Sequence, residues 1–397
     1  MDADGWSRPR VIFAKGRSRR FRSGHPWVFS NEIGMTPEVK ALPSGTLVTL
    51  IDANSEYLGV ATFNPHSLIC GRVLSRNWKD LIDKAFLASR LNQALALRET
   101  LFSAPHYRLV HAEADGLPGV IVDRFGDVLT VQVNTAGIER LTPLLIEALV
   151  DIFSPRAIVL RNDSPVRQLE GLTLDHRLAQ GELDGPVELV ENGCRFVADL
   201  LEGQKTGWFF DQRDNRAFVA QLAAGKRMLD VYTYAGGFAI QGAVAGATEV
   251  TAIDRSEAAL AMVSRSAELN RVHVTPRRAE AFAEMARLAE AKERFGMVVV
   301  DPPAFVKSRK DLRAGTKGYQ KMARMAAQLV EPNGFLFCAS CSHHMPVTDF
   351  TNAIAAGLNG AGRSGRILRA GGAGADHPVH PWLPESAYLK SLILQLD

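Results

Sequence analysis

From Leu200 onward, short apolar strands alternate with helices, and this alternation restricts the fold more than any other feature of the chain. Arg227-Met-Leu-Asp-Val231, Glu249-Val-Thr-Ala-Ile253, Met297-Val-Val-Val300 and Phe335-Leu-Phe-Cys-Ala339 read as strands. Phe238 to Ala245, Glu257 to Leu269 and Gly318 to Leu329 read as helices between them. Strands joined through helices pair in parallel, so the pattern predicts an α/β domain with an open sheet covered on both faces. Open sheets of this kind hold ligands beyond the carboxyl ends of their strands. The residues at those ends are therefore the first candidates for function.

The first strand runs into Leu229-Asp-Val-Tyr-Thr-Tyr-Ala-Gly-Gly-Phe238, an acid followed by a loop whose paired glycines open a helix. Small residues there let a ligand lie against the backbone and the helix N-terminus, with Asp230, Tyr232 and Gly236 around it. The loop lacks the Gly-x-Gly-x-x-Gly spacing of dinucleotide sites, which disfavours NAD. Taken alone it reads equally as a tight turn with Asp230 as a helix cap. Asp254 and Arg255 end the next strand, where a carboxylate can accept both hydroxyl hydrogen bonds of an adenosine ribose. Glu280 stands after the third strand region, where a polar side chain meets an adenine or simply starts a surface helix. Asp301-Pro-Pro-Ala-Phe305 follows the fourth strand, its prolines stiffening an outward loop. That loop resembles the substrate-base loop of class I methyltransferases that act on nucleobases. The fifth strand ends in Cys338-Ala-Ser-Cys-Ser-His-His-Met345. Cys338 reads as a small buried hydrophobe, while Cys341 falls at the strand end on the same side as Asp301. A thiolate there can attack carbon 6 of a pyrimidine and make carbon 5 nucleophilic. Zinc binding or redox cycling by this C-x-x-C with its two nearby histidines, His343 and His344, is the weaker reading, because two of the four sulfur and nitrogen donors would have to come from inside a strand.

Length and composition set the remaining bounds. A chain of 397 residues with 46% hydrophobic residues can build several cores. A formal net charge of +3 announces no nucleic-acid partner by itself, so any basic footprint must be local. Four scattered cysteines do not make a disulfide framework. The polar start from Met1 to Arg10 lacks an apolar secretory stretch, and no run approaches the roughly 20 apolar residues of a membrane span. A reducing cytoplasm and no membrane partner are expected. Residues 1–76 read as a small β-rich module, with strands at Gly45–Ile51, Tyr57–Phe63 and Leu68–Leu74. Residues 77–186 read as a central α+β domain with a helix over Asp80–Phe102, and the polar stretch Gln180–Pro186 reads as a linker into the third domain, 187–397. The first module bunches Arg8, Arg10, Lys15, Arg17, Arg19, Arg20 and Arg22 ahead of Trp27 and Phe29. Cations can hold phosphates and aromatics can stack on unpaired bases, although Trp27 reads more readily as core. Lys307-Ser-Arg-Lys-Asp-Leu-Arg313, just after the Asp-Pro-Pro loop, is either a solvated face or a guide for a substrate backbone.

Gly24-His-Pro-Trp-Val-Phe-Ser-Asn31, Glu113-Ala-Asp-Gly-Leu-Pro-Gly119, Lys205-Thr-Gly-Trp-Phe-Phe-Asp-Gln-Arg213, Asp301-Pro-Pro, Ser340-Cys-Ser342 and Asp376-His-Pro-Val-His-Pro381 occur in one order along the chain. On these stretches the chain resembles, throughout its length, the bacterial 23S (large-subunit) ribosomal RNA cytosine-5 methyltransferases. The resemblance implies a β-rich PUA domain, a central α+β domain and a Rossmann-like class I methyltransferase domain. It implies S-adenosyl-L-methionine as cofactor, ribosomal RNA as partner and a chain able to form a homodimer. It also implies that Cys341 is the nucleophile and that Asp230, Asp254, Glu280 and Asp301 frame the cofactor pocket. Lys205 and Gln212 belong to a segment that could close over the methionine end of that cofactor; the bland alternative is packing of Trp208, Phe209 and Phe210 under the sheet. Two positions depart from the family pattern. Ala304 stands where many RNA cytosine-5 methyltransferases carry a second cysteine, and Glu280 stands where an aspartate is usual. Methylation of another nucleobase atom through Asp-Pro-Pro alone, and a non-catalytic RNA-binding assembly factor, are the alternatives.

Overall fold

A computed structural model describes residues 8–397. The first seven residues of the polar N-terminal stretch lie outside the described residues. The chain folds as two compact units, and neither is a continuous stretch. The first takes in the described residues up to Gly185 together with Leu200–Gly207 and Asp376–Pro384, and the second holds Pro186–Asp199, Trp208–Ala375 and Glu385–Asp397.

The first unit carries two five-stranded sheets. In one, Thr46–Ile51, Tyr57–Phe63 and Gly71–Ser75 form an antiparallel meander, edged by Arg10–Ile12 on one side and Trp27–Val28 on the other. Val11, Phe13, Val48, Leu50, Ala61 and Phe63 fill its interior. The other sheet orders Asp175–Gly181, Ala157–Asn162, Val128–Val133, Val120–Phe125 and His106–His111. The helices Lys84–Leu101 and Ala136–Phe153 belong to the same core. Asp83 caps the first of these by accepting from the Phe86 amide, so the helix begins four residues later than the apolar spacing alone suggests. The expected linker also needs correcting. Gln180 and Gly181 complete a strand paired with Ala157 and Ile158, because the ladder supplies their backbone partners.

The second unit opens with a hairpin, Val187–Glu191 and Cys194–Ala198. Its turn residues Asn192 and Gly193 both take positive φ, the left-handed geometry that a two-residue turn between right-twisted strands requires. The rest is a seven-stranded sheet. In chain order its strands are β1 (Arg227–Val231), β2 (Glu249–Asp254), β3 (Thr275–Arg278), β4 (Phe295–Val300), β5 (Val330–Ser340), β6 (Gly365–Gly371) and β7 (Lys390–Leu396). The helices are α1 (Arg213–Ala223), α2 (Gly237–Val244), α3 (Glu257–Asn270), α4 (Ala281–Glu290), α5 (Leu312–Leu329) and α6 (Val347–Gly360). The spatial order is β3-β2-β1-β4-β5-β7-β6, parallel except for β7, which runs antiparallel to both neighbours. The sheet is thus not wholly parallel, since β7 enters beside β5 from the opposite direction. α5 starts at Leu312, ahead of the expected Gly318, running on from a 3-10 turn, Arg309–Asp311, that the Ser308 amide and hydroxyl close by donating to the Asp311 carboxylate. Val231, Val300, Leu336 and Cys338 join Tyr319, Met322 and Ala326 of α5 in one core. No helix among the described residues is long and apolar enough to cross a membrane.

Candidate active site

Strand order places β1 and β4 side by side at the centre of the sheet, with Val231 level with Val300 and Val300 level with Cys338. Asp230, Asp301 and Cys341 therefore arrive at one carboxyl edge on adjacent strands. Asp254 reaches the same edge on β2, in register with Arg278.

Asp230 is wholly buried. One carboxylate oxygen, Oδ2, accepts from the Thr233 hydroxyl at 2.6 Å and the Ala239 amide at 3.1 Å. The other, Oδ1, has no hydrogen-bond partner among the described residues. Burial, with a further push from nearby Asp301, raises the Asp230 carboxyl to about 7. The hydrogen bonds from Thr233 and Ala239 and the charge of Arg216 offset only part of that rise. A buried acceptor left open in this way is suited to a cationic donor arriving with a ligand. The loop beyond it has no room for side chains. Gly236 sits at φ +82° at the start of α2, and a Cβ on Gly237 would stand 2.4 Å from Arg216 Nε.

Asp254 accepts from the Tyr234 amide at 3.0 Å through Oδ2 and from the Ser256 amide at 2.9 Å through Oδ1. Each oxygen keeps a further lone pair for a ligand hydroxyl. These acceptors hold Tyr234, itself at positive φ, against the β2 end. Glu280 is exposed and caps α4, taking the Ala283 amide at 2.8 Å. Tyr232, also at positive φ, packs against the sheet core, and burial together with the charge of Glu280 lifts its phenol above the ordinary range. The Arg255 side chain is exposed, and its carbonyl accepts from Arg278. Lys205 is exposed in the Leu200–Gly207 segment, which folds with the first unit and not with the strand ends. Gln212 is buried and donates to Asp301 Oδ2 at 2.8 Å while accepting from Asn215 at 2.7 Å. It therefore orients the Asp301 carboxylate directly. Trp208 and Phe210 are buried, in keeping with the packing alternative for their segment, and Phe209 meets Tyr234 edge on.

Cys341 is half-buried between two wholly buried serines. The Ser340 hydroxyl donates to Tyr319 Oη at 2.7 Å, and Tyr319 Oη and Ser342 Oγ lie 2.9 Å apart. Ser342 Oγ also accepts the Val306 amide at 3.2 Å, which ties the Asp301-Pro-Pro loop to the cysteine turn. Cys338 lies inside the core, where burial drives its thiol far up. Among the described residues no cluster of histidine, cysteine or carboxylate side chains is arranged to hold a metal.

Tyr319, Asn215 and Lys390 escape a reading of the sequence. Tyr319 falls on the buried stripe of α5 with Met322, Ala323 and Ala326, so spacing marks it as core and hides its hydroxyl. Lys390 precedes an apolar strand and reads as a solvated edge, yet it is buried. In the first unit, Trp27 donates to Glu113 at 2.7 Å and lies beside Arg72, so its ring is part of the packing. Arg22 pairs with Asp52 and Glu56, whereas Lys15, Arg17 and Arg19 are exposed.

Comparison with known proteins bears on the fold and the family. A PUA-like domain model matches residues 11–76, and a model of S-adenosylmethionine-dependent methyltransferases matches residues 171–354. The chain is similar in fold to a protein described as a methyltransferase and solved in complex with SAH, at TM-score 0.82 and 19% identity over 98% of this chain and 100% of that one. It is 36% identical to ribosomal RNA large subunit methyltransferase I of Klebsiella pneumoniae over 96% of this chain and 97% of that protein. The protein of the same name from Escherichia coli is 34% identical over 96% and 98%. With near-complete coverage from both ends and the strand-end acids in place, the chain belongs to the ribosomal RNA large subunit methyltransferase I family, S-adenosylmethionine-dependent enzymes with a PUA-like module, a middle α/β domain and a Rossmann-like methyltransferase domain.

Proposed function

We propose that this chain methylates carbon 5 of a cytosine in large-subunit (23S) ribosomal RNA through a covalent adduct on Cys341. The observation that carries this reading is the cysteine turn itself, a half-buried thiol bound through Ser342 to the loop that bears Asp301. When bound, S-adenosylmethionine supplies the electrophilic methyl group. Asp230 would hold its ammonium through the open Oδ1, Asp254 its ribose hydroxyls, and Tyr232, Gly236, Arg255 and Glu280 the adenosine side.

Cys341, as thiolate, forms a bond to carbon 6 of the base, and the displaced electron pair makes carbon 5 able to take the methyl group. Asp301, fixed by Gln212, meets the polar edge of the cytosine. The carbon-5 proton passes to solvent, its electron pair re-forms the carbon 5–carbon 6 double bond, and the bond from carbon 6 to Cys341 breaks with its pair on sulfur, releasing thiolate. A cytosine within a stacked helix must first be extruded, at roughly a few kcal/mol, so a loop or a partly assembled RNA is the easier substrate.

Cys341→Ala is expected to abolish transfer and leave S-adenosylmethionine affinity unchanged by calorimetry. Ribosomal RNA carrying 5-fluorocytosine should be trapped covalently by the wild-type chain and not by this variant. Methyl transfer at full rate without the thiol would sink the nucleophile assignment and favour an exocyclic amine or a guanine nitrogen as target. Light scattering of the purified chain tests the homodimer that the family likeness implies.

A further inference from the structure

Lys390 begins β7 opposite Ser340 of β5. Its side chain is buried, with a relative exposure of 6%. Nζ donates to the Ser342 carbonyl at 2.6 Å and to the Met345 carbonyl at 2.9 Å. Ser342 O also accepts the Met345 amide, so the ammonium closes the turn immediately after Cys341. Among the described residues no carboxylate pairs with Lys390. A buried charge with only neutral carbonyls for company is costly unless an anion joins it in the working state.

Lys390 on β7 and Tyr319 on α5 are titratable groups whose charge couples to the thiol. Burial pulls the Lys390 ammonium below its ordinary range, and Cys341 acts the other way. Burial holds the Tyr319 phenol up, so it stays neutral and serves only as a hydrogen-bond partner.

We propose that Lys390 is a positioning residue of the methyl-transfer site, fixing the turn that carries Cys341 through two carbonyls and supplying the buried positive charge that stabilises the Cys341 thiolate. The inference rests on Cys341 being the nucleophile. The ammonium favours the thiolate both before addition and when the bond to carbon 6 breaks. The thiol proton goes to solvent.

The test uses the full chain and reads the thiol, not turnover. Alkylation of Cys341 by iodoacetamide is followed across pH by peptide mass mapping in wild type, Lys390→Gln, Lys390→Met and Lys390→Arg, with melting temperature and S-adenosylmethionine binding as controls of folding. The glutamine keeps a donor for the carbonyls and drops the charge. Lys390→Gln and Lys390→Met should react tenfold or more slowly at pH 7, with the midpoint of the profile moved up. Lys390→Arg should stay near wild type. A second measurement needs no Lys390 variant: the ultraviolet thiolate titration of wild type minus that of Cys341→Ser. A midpoint below the ordinary cysteine value of about 8.5 supports the proposal; one at or above that value overturns it, as does a folded Lys390→Gln chain that alkylates along the wild-type curve. Absence of a 5-fluorocytosine adduct in wild type would instead count against Cys341 as nucleophile, which distinguishes the two failures.

Discussion

Asp230 shows how one carboxylate can be unfavourable for the empty protein and useful to the loaded one. Its folded value of about 7 lies above the ordinary 3.8, so the native chain holds a proton that the unfolded chain releases between those values. The stability this gives is complete below pH 3.8 and is lost as pH rises to 7. Asp230→Asn should remove that slope, and the ligand-free variant should melt higher than wild type above pH 7. The same change should weaken S-adenosylmethionine binding at least tenfold, because the open Oδ1 no longer carries charge. In the wild type, affinity should fall as pH drops below 7, since the ligand ammonium needs the ionised carboxylate. Calorimetry in buffers of different ionisation enthalpy would show proton release on binding; equal heats at neutral pH would argue against Asp230 as the ammonium site.

At the scale of elements, the hairpin ahead of the sheet is held by one acid. Glu191 accepts from Arg216 Nη1 at 2.7 Å, Gln241 at 3.1 Å and Trp208 Nε1 at 3.0 Å, all buried. Glu191→Ala leaves the Arg216 guanidinium without its partner and should lower unfolding free energy by about 3–5 kcal/mol in urea titrations. A loss below 1 kcal/mol would mean that water reaches the pair. This hairpin precedes the strand–helix alternation and escapes a reading that begins there, although Asn192-Gly193 between alternating apolar residues is a strong turn signal. The strands β1, β2 and β4 are legible because each is a short apolar run closed by an acid, and that pattern delivers Asp230, Asp254 and Asp301. Cys341 is legible only as the residue just after β5. Lys390, Tyr319 and Asn215 are not, because their partners stand far along the chain. Lys390 meets carbonyls 48 and 45 residues away, Tyr319 meets serines 21 and 23 away, and Asn215 meets Ser391 176 away. Sheet register, not local pattern, makes those meetings. The antiparallel course of β7, which brings Lys390 under the cysteine turn, follows from strand order and has no local signature.

For the molecule as a whole, a net charge of +3 leaves RNA recognition to local clusters. Arg309, Lys310 and Arg313 are exposed after the Asp-Pro-Pro loop. Replacing all three with alanine should weaken RNA binding and flatten the dependence of log affinity on log salt by about 0.7 for each phosphate no longer neutralised. Cofactor affinity should not change, and an unaltered salt slope would return the run to a merely solvated face. The division of the chain has a different kind of consequence. Asp376–Pro384 completes the first unit, and β7 then completes the second. No single cut within residues 208–375 yields two whole bodies. During synthesis the last segments of both units emerge only after Ala375, so a chain cut short there lacks Asp376–Pro384 of the first unit and β7, with Lys390, of the second.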